Sequence, residues 1–166
     1  FTKYEGFDAT CLSYTKYGRT HGAINAMEAI KVSCNYFFYE LGDLMNEDMP
    51  VKTAQQLGLG VPTGIELVEK TGYLNTKERK REVYGTGVNA NFSAGDRVLG
   101  AIGQGEYRFT PLQLCVYAST LANRGTRMKA TFLSRVVSSD YRTLIYENKP
   151  VVENQMNLAG TTVDAY

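Results

Sequence analysis

The stretch HGAINAMEAIKVSCNYFFYELGDL, residues 21–44, decides the fold of this chain. Two segments with the hydrophobic spacing of amphipathic helices flank a polar Ser-Cys-Asn step at residues 33–35. The apolar positions are Ile24, Met27 and Ile30 in the first segment and Phe37, Phe38, Leu41, Leu44 and Met45 in the second. A hydroxyl and a carboxamide between two anchored helices are held in fixed geometry, as a catalytic or ligand-binding pair requires. The simpler interpretation, that Ser33 only caps the second helix, stays open on this pattern.

The same stretch contains a signal for where its first helix begins. Asn25 and Glu28 have the spacing of a capping box, in which each side chain hydrogen-bonds a free backbone amide of the other residue. The sequence therefore predicts a helix that starts just after Asn25.

Composition indicates one ordinary soluble domain. The chain has 166 residues, of which 43% are hydrophobic, so it is large enough to bury a core and is not of a disordered type. A formal net charge of +1 argues against a nucleic-acid partner or an electrostatic membrane anchor. The basic run KERKRE at residues 77–82 is interleaved with Glu, which is typical of a solvated helix face. No segment approaches the ~20 apolar residues of a membrane span, so we expect no membrane contact.

The cysteines and the single histidine limit the kinds of site. Cys11, Cys34 and Cys115 are too few and too widely spaced for a disulfide scaffold, or for a zinc site with paired ligands at short spacing. Cys115 falls in a strongly apolar segment and is predicted to be a buried hydrophobe. A bridge between Cys11 and Cys34 stays open for an oxidising compartment. His21, as the one histidine, excludes a multi-histidine metal site and argues against a Ser-His-Asp triad.

The remaining pattern predicts more helices and then a small β part. Residues 1–20 lack periodicity and are predicted to be loop with a short strand, whereas Pro50 opens a helix that ends at Gly58. Residues 59–74 are rich in turn formers, and Asn75 or Thr76 can cap a charged helix through Glu82.

Later in the chain, a capping box with Pro at the first helical position starts a helix at Thr110-Pro111-Leu112-Gln113. This helix is apolar on most faces, so we expect it to be buried. Residues 131–137 and 143–146 are rich in β-branched residues and predict a hairpin. The expected fold is mainly α with a small β part. Residues 1–130 form a mainly helical region, 131–150 a β-hairpin and 151–166 an irregular tail.

Four features in this order resemble the transpeptidase domain of class B, high-molecular-weight penicillin-binding proteins, over roughly residues 4–137. They are His21-Gly22 followed by Ser33-Cys34-Asn35; Thr63-Gly64-Ile65-Glu66-Leu67; Gly95-Asp96 leading to Ala101-Ile102-Gly103-Gln104-Gly105; and Thr110-Pro111-Leu112-Gln113-Leu114 ending in Leu121-Ala122-Asn123-Arg124-Gly125. The resemblance implies the helical portion of the α+β fold shared with serine β-lactamases. It implies no metal and no organic cofactor.

The resemblance also implies a reaction and roles for the Ser-Cys-Asn step. In this family a serine attacks the D-Ala-D-Ala amide of a peptidoglycan stem peptide, a lysine takes its proton, and a second stem peptide resolves the acyl-enzyme. Ser33 would relay a proton towards the leaving amine, and Asn35 would hold the substrate backbone and the lysine. Cys34, between these two catalytic residues, would lie at a substrate-binding position.

Two further matches to the family signature are interpreted as coincidences. Ser13 and Lys16 have the S-x-x-K spacing, but their segment has no apolar stripe and would make a poor core helix. Lys70 begins a K-T-G triplet that precedes the elements it should follow. We therefore expect the true nucleophile before Phe1 and the true K-T-G after Tyr166, so that this chain alone is not acylated.

The family implies that the parent is a membrane-anchored enzyme on the extracytoplasmic face of a bacterial membrane. Its partners would be stem peptides, β-lactams and other cell-wall synthesis proteins. Two other classes stay open, namely a β-lactam-binding sensor or pseudo-transpeptidase without turnover, and a helical structural or interaction module. A serine β-lactamase is less favoured, because no Glu lies in a recognisable deacylating context.

Overall fold

The computed structural model describes residues 1–163 and divides the chain into two compact units. The first unit contains Phe1–Val51 and Asn75–Tyr107, and the second contains Lys52–Leu74 and the chain from Arg108 onwards. Each unit therefore draws on two separate parts of the sequence. The assignment of the chain to one partial domain with three regions stays a prediction.

The first unit is helical. Its elements are α1 (Leu12–Tyr17), α2 (Ala26–Lys31), α3 (Asn35–Leu44), the start of α4 (Asp48–Gln56), α5 (Lys77–Tyr84), a 3-10 helix (Val88–Ala90) and α6 (Ala94–Gly100). Within α4 the chain passes from the first unit to the second.

The second unit combines one longer helix with short strands. Its elements after the end of α4 are α7 (Pro111–Ala122), β1 (Thr126–Met128), β2 (Arg135–Val137), β3 (Leu144–Glu147), β4 (Val152–Gln155) and α8 (Gly160–Val163). β1 pairs with β4 and β2 with β3, both antiparallel, each with a register shift. The predicted hairpin is therefore present as β2 and β3. The chain is helix-rich with a small sheet part, as the sequence predicted.

Helices α3 and α6 pack closely in the core of the first unit. Gly42 is buried, and a Cβ built on it would lie 2.6 Å from the Cβ of Ala101, so only glycine allows this approach. Val98 of α6 is 0% exposed and packs in one cluster with Tyr39 and Phe1. Charged groups reinforce the contact at its edge, where Arg97 pairs with Asp43 at 3.5 Å and with Glu47 at 3.2 Å.

Helix starts agree with the capping signals in the sequence. In the predicted box at α2, Glu28 N donates to Asn25 Oδ1 at 3.0 Å and Asn25 N donates to Glu28 Oε2 at 2.9 Å. The second predicted box, between Thr110 and Gln113, opens α7. Of the two alternatives offered for α5, Thr76 is the N-cap. These boxes satisfy free amides locally, which explains why sequence alone located them.

Helix α7 is anchored in the second unit by a buried polar side chain. Gln113 is 0% exposed and its Nε2 donates to the carbonyl of Val61 at 2.9 Å.

Gly72 allows a close backbone approach in the same unit. Its φ is 64°, and a Cβ there would lie 2.1 Å from the Arg108 carbonyl oxygen. The neighbouring Tyr73 and Arg108 form an isolated antiparallel bridge.

Several expectations about local structure and burial were wrong. Residues 12–17, expected to be loop, form helix α1, and β4 and α8 lie in the expected irregular tail, whose residues 164–166 are outside the described range. Cys115 is exposed rather than buried, because only Gln113, Val116 and Thr120 of α7 face the interior. On α2 the predicted apolar stripe is exposed, with Met27 at 64% and Ile30 at 69%, and only Ala29 is buried.

The length and apolar character of each helix decide whether it could span a membrane. Among residues 1–163, none of the helices reaches the length and apolar character needed to span a bilayer.

Candidate active site

Ser33 lies where α2 ends and α3 begins. The amide of Cys34 donates to the carbonyl of Ala29 at 2.9 Å, and the amide of Ser33 donates to the carbonyl of Ile30 at 3.1 Å. These two bonds are those of a Schellman motif, in which the residue after the C-cap has a left-handed backbone and is usually glycine. Ser33 takes that position with φ of 50° and is exposed. A side chain with a hydroxyl therefore stands at a backbone position that favours a residue without Cβ.

The capping interpretation of Ser33 was wrong. The N-cap of α3 is Cys34, and its side chain makes no capping hydrogen bond. Ser33 instead belongs to the turn that closes α2, so its hydroxyl does not satisfy the first amides of α3. The backbone hydrogen bonds of the turn fix the Cα of Ser33, which carries this hydroxyl.

Asn35 and Cys34 continue the step into α3. Asn35 is the first residue of the helix and is half-buried, one turn before Tyr39. Burial raises the pKa of Tyr39 above its usual value, and the neighbouring Asn35 side chain acts in the opposite direction. Cys34 is 6% exposed and packs with Cys11 and Ala29. The three residues of the step thus differ in exposure. Ser33 is exposed, Cys34 is buried and Asn35 is half-buried.

The thiol of Cys11 lies at the start of two helices. It is the N-cap residue of α1 but makes no side-chain capping hydrogen bond there, and the backbone amides of Ser13, Asn35 and Tyr36 lie around its sulfur. Burial raises the pKa of this thiol, but these amides and the Cys34 thiol outweigh that effect and the net pKa is lowered. Cys11 therefore lies against the first turn of α3, which begins with Asn35.

His21 joins the two cysteines beside a cavity. Its Nδ1 lies 3.8 Å from the Cys11 sulfur, and the ligand atoms of Cys11, His21 and Cys34 are all within 4.8 Å of one another. All three residues line a cavity of about 670 Å³, together with Tyr36. Sequence reasoning missed this group because its members come from three segments, and the spacing argument against a zinc site considered only neighbours in sequence. His21 also belongs to the His-Gly pair that carries part of the family resemblance.

The residues of the S-x-x-K and K-T-G matches lie in other elements, Ser13 and Lys16 in α1 and Lys70 in a loop of the second unit. Ser13 is the second residue of α1, a six-residue helix with no buried residue within the described chain. Lys16 is exposed, and its ammonium lies 5.1 Å from the centroid of the Tyr17 ring. Lys70 is exposed and precedes the left-handed turn at Gly72 in the second unit.

The other sequence motifs have visible structural roles. Asp96 closes a capping box with Ser93 and binds Lys80 of α5 at 2.6 Å, and these contacts hold its pKa below the usual value although burial opposes them. Gly105 has φ of 103° and leaves room for Asn75, whose side chain accepts from the Glu106 amide at 3.2 Å.

In the second unit, Thr63 is 3% exposed, and its hydroxyl donates to Glu69 at 2.8 Å. The residues of these motifs therefore have structural roles, because their hydrogen bonds stabilise the local backbone. Two of the motifs contain an exposed polar residue with a left-handed backbone, namely Ser33 in the Ser-Cys-Asn step (φ 50°) and Arg124 in the turn after α7 (φ 53°).

An exposed serine between two helices, followed two positions later by an asparagine at a helix start, matches the Ser-x-Asn type step in the signature of penicillin-recognising proteins. The chain belongs to that family: the family model "Penicillin binding protein transpeptidase domain" matches residues 2–164. The class B transpeptidase-domain resemblance is thereby confirmed.

Named relatives agree with the family assignment. The chain is 28% identical over 145 residues to peptidoglycan D,D-transpeptidase MrdA of Acinetobacter baumannii, covering 87% of the chain and 20% of that protein. It is similar in fold to penicillin-binding protein 2B of Streptococcus pneumoniae, with a TM-score of 0.67 and 22% identity over 86% of the chain and 24% of that structure.

Helicobacter pylori penicillin-binding protein PBP2, solved in complex with MreC, has a TM-score of 0.65 and 24% identity over 87% of the chain and 24% of that structure. The chain thus spans about a fifth to a quarter of the length of the relatives it matches.

Proposed function

We propose that this chain provides one wall of the active site of a peptidoglycan D,D-transpeptidase, which cross-links stem peptides by serine acyl transfer and is acylated by β-lactams. Ser33 relays a proton to the leaving amine, and Asn35 holds the substrate backbone and the catalytic lysine. The observation that carries this proposal is the exposed Ser33 at a left-handed position, inside a motif where glycine is usual. Strained backbone of this kind clusters at functional sites.

The surroundings of the step suit these roles. The backbone bonds of the turn fix the Ser33 Cα, so the hydroxyl needs only a rotation about one side-chain bond to reach a partner. Asn35 begins α3, and the first turn of that helix packs against the buried Cys11. A proton relay needs a donor at hydrogen-bond distance in a fixed place, and such positioning contributes typically ~10²–10⁴-fold to rate.

The nucleophile and its base belong to other parts of the parent enzyme. The Lys16 ammonium lies 5.1 Å from the centroid of the Tyr17 ring, which gives it a partner other than the Ser13 hydroxyl. Helix α1 also has no buried residue that would hold a nucleophile rigidly. The 166-residue chain should therefore form no covalent adduct with fluorescent penicillin. A stable adduct that maps to Ser13 would show that this part of the proposal is wrong.

The catalytic proposal is tested in the full-length protein that contains this chain. Ser33→Ala and Asn35→Ala should each lower the rates of β-lactam acylation and of stem-peptide cross-linking by ~10²-fold or more. Ser139→Ala is the matched control, because Ser139 is an exposed serine in the turn between β2 and β3. If the Ser33 and Asn35 variants keep the rates of the control, these residues have no part in the reaction.

The same experiment separates the transpeptidase from the other classes. A sensor or pseudo-transpeptidase would be acylated without cross-linking stem peptides. A helical interaction module would do neither, and Ser33→Ala would change nothing in either assay.

Location and partners follow from the same proposal. The parent enzyme would work on the extracytoplasmic face of the bacterial membrane, anchored there, where peptidoglycan stem peptides and β-lactams are accessible. Other cell-wall synthesis proteins would bind it, as the H. pylori PBP2 complex with MreC illustrates for a relative. Co-purification of the tagged full-length protein from membranes, compared with a tag-only control, tests both statements.

A further inference from the structure

A groove runs along helix α3 from the Ser-Cys-Asn step. Its lining extends from Cys34, the middle residue of the step, to Leu44, the last residue of α3. The loop of residues 22–24 lines it as well, and all of the lining residues belong to the first unit. Its volume is about 330 Å³, which is in the range of sites for small ligands.

The walls of this groove are mostly apolar and partly open to water. Ile24 and Phe37 are half-buried, whereas Leu41 is 38% and Leu44 79% exposed. An aliphatic chain lying between these side chains would remove apolar surface from water on both partners, which is favourable. The groove therefore suits the hydrocarbon part of a ligand.

One acidic side chain, Glu40, lines the same groove. It is half-buried, and its carboxylate lies beside the Tyr36 hydroxyl, whose pKa it raises above the usual value. The ammonium of Lys3 is attracted to Glu40 but is itself ion-paired with Asp43. The ion pairs formed within residues 1–163 do not include Glu40. A half-buried carboxylate of this kind favours a ligand that brings its own cation.

An aliphatic chain that ends in an ammonium matches both features of the groove. Its methylene groups would lie against Phe37 and Leu41, and its ammonium would pair with Glu40, as the stem and head of a lysine side chain divide between apolar and polar surroundings. A neutral or anionic chain would leave the carboxylate unpaired and would bind less well. In the transpeptidase reaction, the second stem peptide is the substrate that brings an amine.

We propose that this groove binds the amine-bearing aliphatic side chain of the acceptor stem peptide, with Glu40 paired to its ammonium. This inference rests on the proposed function and adds a site for the second substrate. Ser33 and Asn35 would serve the half-reaction that forms the acyl-enzyme. Glu40 would bind the protonated amine of the peptide that resolves it, and takes no part in the covalent step.

The test uses the full-length protein that contains this chain and measures the two half-reactions separately. Acylation by fluorescent penicillin needs no acceptor and reports the first. Cross-linking at increasing concentrations of a stem peptide with a free side-chain amine reports the second. Glu40→Gln should keep the acylation rate within about 2-fold, but raise the acceptor concentration for half-maximal cross-linking at least ~10-fold, because a charged hydrogen bond is lost.

Glu78→Gln is the matched control, because Glu78 is an exposed glutamate in the first turn of α5, and it should behave as the wild type does in both assays. An unchanged half-saturating acceptor concentration in Glu40→Gln would overturn the inference alone. So would an equal loss of acylation and cross-linking, because Glu40 would then support the site as a whole. A wild-type protein that is not acylated would instead refute the proposed function, and the inference with it, before any substitution is made.

Discussion

Replacing Ser33 by glycine should stabilise the chain while it removes the hydroxyl proposed for catalysis. A left-handed backbone costs an L-residue roughly 1–2 kcal/mol, and Ser33 has φ of 50°. Glycine avoids that cost but loses about 0.5–1 kcal/mol more in backbone entropy on folding. Ser33→Gly should therefore raise the free energy of unfolding by about 0.5–1 kcal/mol. Ser33→Ala should change it by less than about 0.5 kcal/mol, since the strain stays and no cap is lost.

Urea unfolding of the 166-residue chain, followed by circular dichroism and by tyrosine fluorescence, measures both variants. The slope of free energy against urea should stay constant, so that a changed midpoint reports stability alone. Ser139→Gly is the control, because the backbone of Ser139 itself is not left-handed and its replacement should not stabilise. If Ser33→Ala instead costs about 1 kcal/mol, as loss of an N-cap does, or if Ser33→Gly is destabilising, the structural argument for Ser33 fails.

Two further predictions concern the packing of α6. Gly42→Ala should destabilise by about 1–2 kcal/mol, because the 2.6 Å clash with the Ala101 Cβ outweighs the helix propensity of alanine. Ala101→Gly in the same chain should restore part of that loss, and Gly87→Ala, where space is open, should not destabilise. Contacts with Lys80 depress the pKa of Asp96 below 3.8, so its stabilisation is present above the unfolded pKa and lost as pH falls through the folded pKa. Asp96→Asn should cost roughly 1.5–3 kcal/mol at pH 7 and much less at pH 2, measured by urea unfolding at both pH values.

Local signals in the sequence located helix starts well. The boxes at Asn25 and at Thr110 depend on side chains three residues apart, so the information needed is contained in four consecutive positions. The hairpin of β2 and β3 also depends on residues that are close together in sequence. Such features depend little on the rest of the chain.

Burial and side-chain convergence could not be predicted in this way. Cys115 lies in an apolar helix, yet the inward face of α7 is set by Gln113, whose amide reaches Val61 across 52 positions of sequence. The meeting of Cys11, His21 and Cys34 likewise depends on how three segments pack. Periodicity reports that a face is apolar, but the partner that covers it is a property of the tertiary structure.

The motifs that carried the family resemblance differ in what they do physically. Asp96 closes a capping box, Gly105 leaves room for a close approach of Asn75, and Thr63 makes a buried hydrogen bond. Selection for folding alone would explain these three residues. Ser33 differs, because glycine would fit its backbone better and its hydroxyl stabilises neither helix end. A residue that breaks a local rule without a structural gain indicates a functional constraint. For this reason we expect Ser33, and not the S-x-x-K match at Ser13, to take part in the proposed transpeptidase reaction.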